Sequence, residues 1–160
     1  MAYDGLFQLG MDLEAPSTAQ TEDFHYETKG SGEPAERKDY FIEKNGVRCA
    51  GTHLIIDLID AEFLDDLAHI ERTLIDCVDT AGATLLHIHL HHFTPNGGVS
   101  GVAVLAESHI SIHSWPENGY AALDVFMCGA ARPELCIDVL RTAFNPRRVV
   151  VKDLLRGEGL

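Results

Sequence analysis

The sequence predicts an α+β fold: a two-layer α/β sandwich, an antiparallel sheet with helices on one face, dimerising through the other. Three observations carry this reading. Strand-like segments outnumber helical ones. The middle strands are joined by connections too short for parallel crossovers, so they pair antiparallel. Two helical segments suffice for one sheet face, and the aromatic and aliphatic residues on the other face call for a second copy of the chain.

The elements follow in order. Residues 1–38 are polar, turn-rich, acidic and aperiodic, and read as a mostly disordered tail with one apolar patch at Tyr3, Leu6, Phe7, Leu9 and Met11. The folded domain is expected over residues 39–160. Tyr40-Phe41-Ile42 and Val47 flank Asn45-Gly46, a type I′ hairpin signal. His53–Ile59 reads as a buried strand. Ala61–Thr80 reads as a helix, because Phe63, Leu67, Ile70, Leu74 and Cys77 recur at spacings of three and four, with Gly82 as its C-terminal cap. Thr84–Phe93, Val99–Ala106, His109–Trp115 and Tyr120–Cys128 read as strands, separated by turns at Thr94–Gly98 and Pro116–Gly119. Pro133 suits the first turn of a helix that runs to about Phe144, and Val149–Leu155 closes the fold as a strand.

Composition narrows function. The 160 residues are 46% hydrophobic, enough for a real core. The formal net charge of −13 argues against nucleic acid and anionic membrane as partners, since both reward clustered Lys and Arg, and it leaves room for a cationic ligand. No apolar run approaches a membrane span, and the N-terminus lacks the basic and apolar regions of a signal peptide, so the expected location is cytoplasmic. Cys49, Cys77, Cys128 and Cys136 form no C-x-x-C pair and are expected as thiols.

Two segments carry candidate chemistry. In Leu86–His92, the alternation of a strand points His87, His89 and His91 to one face. Such spacing does not by itself converge on a point and supplies no fourth ligand, so the reading is an edge or interface strand and no metal site. In Ala106–Gly129, Glu107-Ser108 occupies a tight junction between two strands. A serine there can attack the carbonyl of Glu107 in an N-to-O acyl shift if the turn is strained, a donor holds the oxyanion and a base is near. Ser100 on the neighbouring strand and His113 further along the same strand are the candidate helpers. Elimination from the resulting ester would cut the chain and leave a pyruvoyl group at position 108.

The runs His91–Gly101, Ala106–His113, Trp115-Pro116-Glu117, Gly119–Ala122 and Asp124–Gly129, extended by Gly51–Ile55, closely resemble the bacterial and archaeal S-adenosylmethionine decarboxylase proenzymes. The resemblance covers roughly residues 39–156. It implies cleavage between Glu107 and Ser108 into a β chain, 1–107, and an α chain, 108–160, with a covalent pyruvoyl group derived from Ser108 as cofactor. That group would form a Schiff base with the substrate amine and act as electron sink. The resemblance further implies that Ser100 and His113 serve self-processing, that Cys128 donates a proton, that Phe93 and Trp115 flank adenine, and that Glu117 binds ribose hydroxyls. The family's sandwich pairs so that active sites lie at a dimer interface, and its product feeds spermidine synthesis. Three departures stand out: Ser114 in place of threonine, the extra glycine of Gly97-Gly98, and Ile59-Asp60 in place of an aromatic and a small residue. The last keeps a pyruvoyl-dependent decarboxylase of arginine or ornithine as the alternative. A non-catalytic binding protein is the other class of reading: an unprocessed partner, which predicts loss of Ser108, His113 or Cys128, all of which are present, or a metal-binding module using His87, His89 and His91, which predicts stoichiometric metal after purification.

Overall fold

A computed structural model describes residues 40–159; the predicted tail at 1–38 lies outside the described residues. The chain opens with β1 (Ile42–Lys44) and β2 (Val47–Cys49), paired antiparallel. Asn45 and Gly46 sit between them at φ 53° and 77°, the double left-handed geometry that the Asn-Gly pair adopts at low cost.

Strand β3 (Gly51–Ile59) leads to α1 (Leu67–Ala81). The predicted helix began six residues earlier. Residues 61–66 are instead a loop in which Phe63 takes φ 59° and lies 54% exposed, its ring tilted against His69, while Leu64 takes the core position. The start is fixed by Asp66, whose carboxylate accepts the backbone N–H of His69 at 2.9 Å and satisfies an orphan donor of the first turn. Gly82 ends the helix at φ 70°, its N–H donating to the carbonyl of Asp79. After β4 (Leu85–His92), β5 (Val99–Leu105), β6 (Ser108–Trp115) and β7 (Tyr120–Met127) come α2 (Cys136–Phe144), entered through a 3-10 turn at Pro133–Leu135, and β8 (Arg148–Arg156).

Strands β3 to β8 form one antiparallel sheet in the order β4-β5-β6-β7-β3-β8. Alternation sorts its residues. Leu54, Ile56, Leu58, Ala103, Ile110, Ile112, Leu123 and Val125 are buried beneath the helices, where they meet Ile70, Leu74, Cys77, Leu140 and Phe144. This is the expected two-layer arrangement, with both helices on one face. The opposite face carries no element among the described residues. Trp115, Val104 and Leu154 lie exposed on it, beside six histidines: His53, His87, His89, His91, His109 and His113. Among the described residues no helix is long and apolar enough to cross a membrane.

Ser114 points into the core from β6. Its hydroxyl donates to the carbonyl of Leu64 at 2.7 Å and accepts the N–H of Val99 at 2.8 Å, tying the loop before α1 to the sheet. Gly101 lies where a Cβ would collide with the backbone carbonyl of His89 and the side chain of Leu90, so the close approach of β4 and β5 depends on glycine there.

Candidate active site

The singled-out residues fall into two clusters. The first surrounds the turn between β5 and β6. Leu105 pairs with Ser108, so Ala106 and Glu107 alone make the turn, and Ser108 also pairs with Met127 on β7. The turn is clamped by Thr84. The Glu107 carboxylate accepts the N–H of Thr84 at 2.8 Å and its hydroxyl at 3.2 Å, while the N–H of Ala106 donates to the carbonyl of Thr84. Ser108 is consequently held at φ 145°, a region that residues with a Cβ rarely enter, at a cost of about 1–3 kcal/mol. The backbone N–H of Cys128 donates to the carbonyl oxygen of Glu107 at 3.1 Å, and the Cys128 thiol is half-buried and free. The Ser108 hydroxyl lies 3.1 Å from Nδ1 of His109.

The second cluster occupies the other end of β6. The Ser100 hydroxyl lies 2.7 Å from Nδ1 of His113, directly across the β5–β6 ladder. Trp115 follows two residues on, on the same face, stacked on Tyr120 at 5.3 Å between ring centroids. The Tyr120 hydroxyl donates to Asp57 at 2.7 Å, and that hydrogen bond holds the phenol's pKa above its ordinary value. Phe93, 41% exposed, stands just past β4 with its ring edge-on to His91, and Glu117 is exposed in a 3-10 turn at Pro116–Asn118. Ile59 pairs with Tyr120 and Asp60 binds the Arg147 guanidinium at 2.7 Å, so the departing pair borders this end of the face.

Within one chain the clusters do not meet. His113 is five residues beyond Ser108 on a strand, a separation of about 16 Å. Between them runs a polar line that the sequence did not announce. Arg156 approaches Nδ1 of His53 at 3.1 Å, Nε2 of His53 lies 3.0 Å from Asp124, and Ser111 donates to the other oxygen of Asp124. An arginine has only protons to give, so Nδ1 of His53 is the acceptor and Nε2 the donor. Nothing in the sequence spacing signals this line, because it joins β8, β3, β7 and β6 through sheet register alone. His87, His89 and His91 stand on the open face of the edge strand opposite Val104, Val102 and Ser100. Among the described residues no three His, Cys, Asp or Glu side chains converge as metal ligands.

A family model described as S-adenosylmethionine decarboxylase matches residues 52–157, a stretch that includes both clusters. The chain belongs to the S-adenosylmethionine decarboxylase family. Individual family members agree. An S-adenosylmethionine decarboxylase proenzyme of Thermomicrobium roseum is 44% identical over 112 residues, spanning 69% of this chain and 97% of that protein. The proenzyme of Methanococcus aeolicus is 49% identical over 110 residues, 67% of this chain and 93% of its own. The crystal structure of the adenosylmethionine decarboxylase from Aquifex aeolicus VF5 superposes with a TM-score of 0.61 at 35% identity, covering 68% of this chain and 92% of that one. The family's fold is therefore the sandwich described above, and the family match spans the whole six-stranded sheet except Gly51.

Proposed function

We propose that this chain is a self-processing S-adenosylmethionine decarboxylase proenzyme that cuts itself between Glu107 and Ser108 and gains a pyruvoyl group at position 108. Family membership carries the decarboxylase activity and favours the nucleoside substrate over arginine or ornithine. The observation that carries the self-cleavage is Ser108 at φ 145° on a clamped two-residue turn. The residues present fit the group. Strain raises the energy of the peptide bond to be broken, and the Cys128 amide already points at the oxygen that would bear negative charge. Once formed, the pyruvoyl group supplies the electron sink for loss of carbon dioxide.

The chain's own residues do the rest. Cys128, whose backbone N–H binds the Glu107 carbonyl next to position 108, carries a free thiol and is assigned to return a proton to the substrate carbon. Phe93 and Trp115 offer aromatic faces to adenine, and Glu117 offers a carboxylate to the ribose diol. A chain with net charge −13 favours approach of a cationic sulfonium.

Ser100 and His113 reach Ser108 only from a second copy. Two open faces packed at about 10 Å in antiparallel orientation would set the Ser100–His113 pair of one protomer opposite the Ser108–Cys128 cluster of the other. The nucleoside-binding residues Phe93, Trp115 and Glu117 lie at the same end as Ser100 and His113, so they would complete the partner's site as well. The exposed Trp115, Val104 and Leu154 are the apolar surface such pairing removes from water.

Intact mass under denaturing conditions tests the reading. Freshly folded protein is expected to yield a 107-residue and a 53-residue fragment, the smaller carrying a carbonyl in place of an amine, together with release of carbon dioxide from S-adenosylmethionine. A chain that stays whole and still decarboxylates would overturn it.

A further inference from the structure

Resting on that self-processing reading, the local geometry names a participant that the family resemblance did not assign. We propose that His109 is the base that takes the Ser108 hydroxyl proton in the N-to-O acyl shift. Its Nδ1 lies 3.1 Å from Ser108 Oγ, within reach of the reacting atom itself. Nδ1 of His113 is engaged by Ser100 at the far end of the same strand. A hydroxyl has one proton, and donating it to His109 leaves none for another acceptor. When that hydroxyl donates, Nδ1 of His109 carries the lone pair and Nε2 the hydrogen, the neutral tautomer a base requires.

The ring is backed rather than loose. It stands edge-on to Phe126 at 6.1 Å and to His53 at 6.4 Å between centroids, and His53 is itself fixed by Arg156 and Asp124. The Arg156 guanidinium also lies over the Phe126 ring at 5.7 Å. The strained φ of Ser108 and the two-residue turn bring Oγ to the imidazole of the next residue, although neighbours on a regular strand point to opposite faces.

The step balances. The Oγ–H bond breaks and its proton passes to Nδ1 of His109. Oγ bonds to the carbonyl carbon of Glu107, and the resulting oxyanion receives the Cys128 N–H. Collapse breaks the carbon–nitrogen bond to Ser108, and the same proton moves from His109 to the departing nitrogen. The product is an ester isomeric with the starting chain, with a free amine at residue 108 and no change in mass.

Hydroxylamine cleaves an ester and spares an amide, so it reads out this step alone. His109→Asn keeps an acceptor near the Nδ1 position but supplies no base, and His109→Ala removes both. The histidine is half-buried on the open face, outside the core. Both full-length variants are followed by intact mass, with far-UV circular dichroism as the check on folding. Each is expected to cut at least ~100-fold more slowly than wild type, to remain resistant to hydroxylamine, and to regain cutting in His109→Ala when imidazole is added. Cutting of His109→Asn at the wild-type rate, or accumulation of a hydroxylamine-sensitive chain, would overturn the assignment while leaving self-processing intact. A wild-type chain that never cuts at Glu107–Ser108 would instead remove the reading on which the assignment rests.

Discussion

Co-expressing two chains, each lacking one half of the proposed processing machinery, tests whether the halves come from different protomers. Ser108→Ala keeps Ser100 and His113 but cannot cut itself. His113→Ala keeps the strained serine but lacks the imidazole paired with Ser100. The structure sets the magnitude. Five residues of extended strand separate position 108 from 113 by about 16 Å, several times the reach of a hydrogen bond. Neither variant alone can therefore assemble a complete site, and loss of a positioned acid or base slows a step ~100-fold or more. In a dimer formed at random from equal amounts, about half of the His113→Ala chains face a Ser108→Ala partner and meet an intact Ser100–His113 pair. That half is expected to be cut at close to the wild-type rate, and Ser108→Ala chains not at all. A mass tag on one variant lets intact mass spectrometry count each species. Wild-type cutting of His113→Ala expressed alone, or no gain in cutting on co-expression, would refute processing across two copies.

Three further outcomes are expected. Ser114→Ala orphans the Leu64 carbonyl and the Val99 N–H, at about 1–3 kcal/mol for each buried group left unpaired; urea denaturation should show this loss, and Ser114→Thr should largely avoid it. Alkylation of the native protein should label Cys128 before Cys49, Cys77 and Cys136, which are wholly buried; Cys77 is protected further because its thiol is hydrogen-bonded within the Cys77–Cys136 pair and buried, both of which push its pKa far up, and peptide mapping reads the order. Tyr120→Phe should remove a phenol that ionises late, so the ultraviolet tyrosinate titration ends at lower pH than in wild type. Because the folded-state pKa of Tyr120 is raised, its stabilising bond to Asp57 is intact below about pH 10 and is lost as pH rises through the folded value, a decline the variant should not share.

The sequence exposed most of the architecture because the relevant signals are local. Asn45-Gly46 and Gly82 mark backbone that must enter the left-handed region, and both lie where the chain does so. The helix start escaped because Phe63 fits the apolar period, yet the Asp66 cap and the burial of Leu64 govern where the first turn forms. The Ser100–His113 contact follows once the hairpin register is known. The Cys128 amide on the Glu107 carbonyl, the Thr84 clamp and the His53–Asp124 line were not legible in sequence. Each joins residues between 21 and 71 positions apart, some through a backbone group, which carries no residue identity. His109 was visible in the quoted motif, but a regular strand would have turned it away from Ser108. Only the unusual φ at Ser108 reveals the contact.

The place in the sheet of the bond proposed to break, Glu107–Ser108, has a consequence for folding. Strand β3 belongs to the 107-residue piece, yet it lies between β7 and β8 of the smaller one, while β5 borders β6 across the cut. The two products of the proposed cut would therefore be interlaced like the fingers of clasped hands, and neither would retain a complete sheet when alone. On the proposed cut, the uncut chain would act as a single-use template: it would set the strand order while the ends are still tethered, then give up the tether. Unfolded mature protein would have to find its other piece in solution. Its recovery should thus depend on concentration, whereas that of an uncut Ser108→Ala chain should depend far less on it.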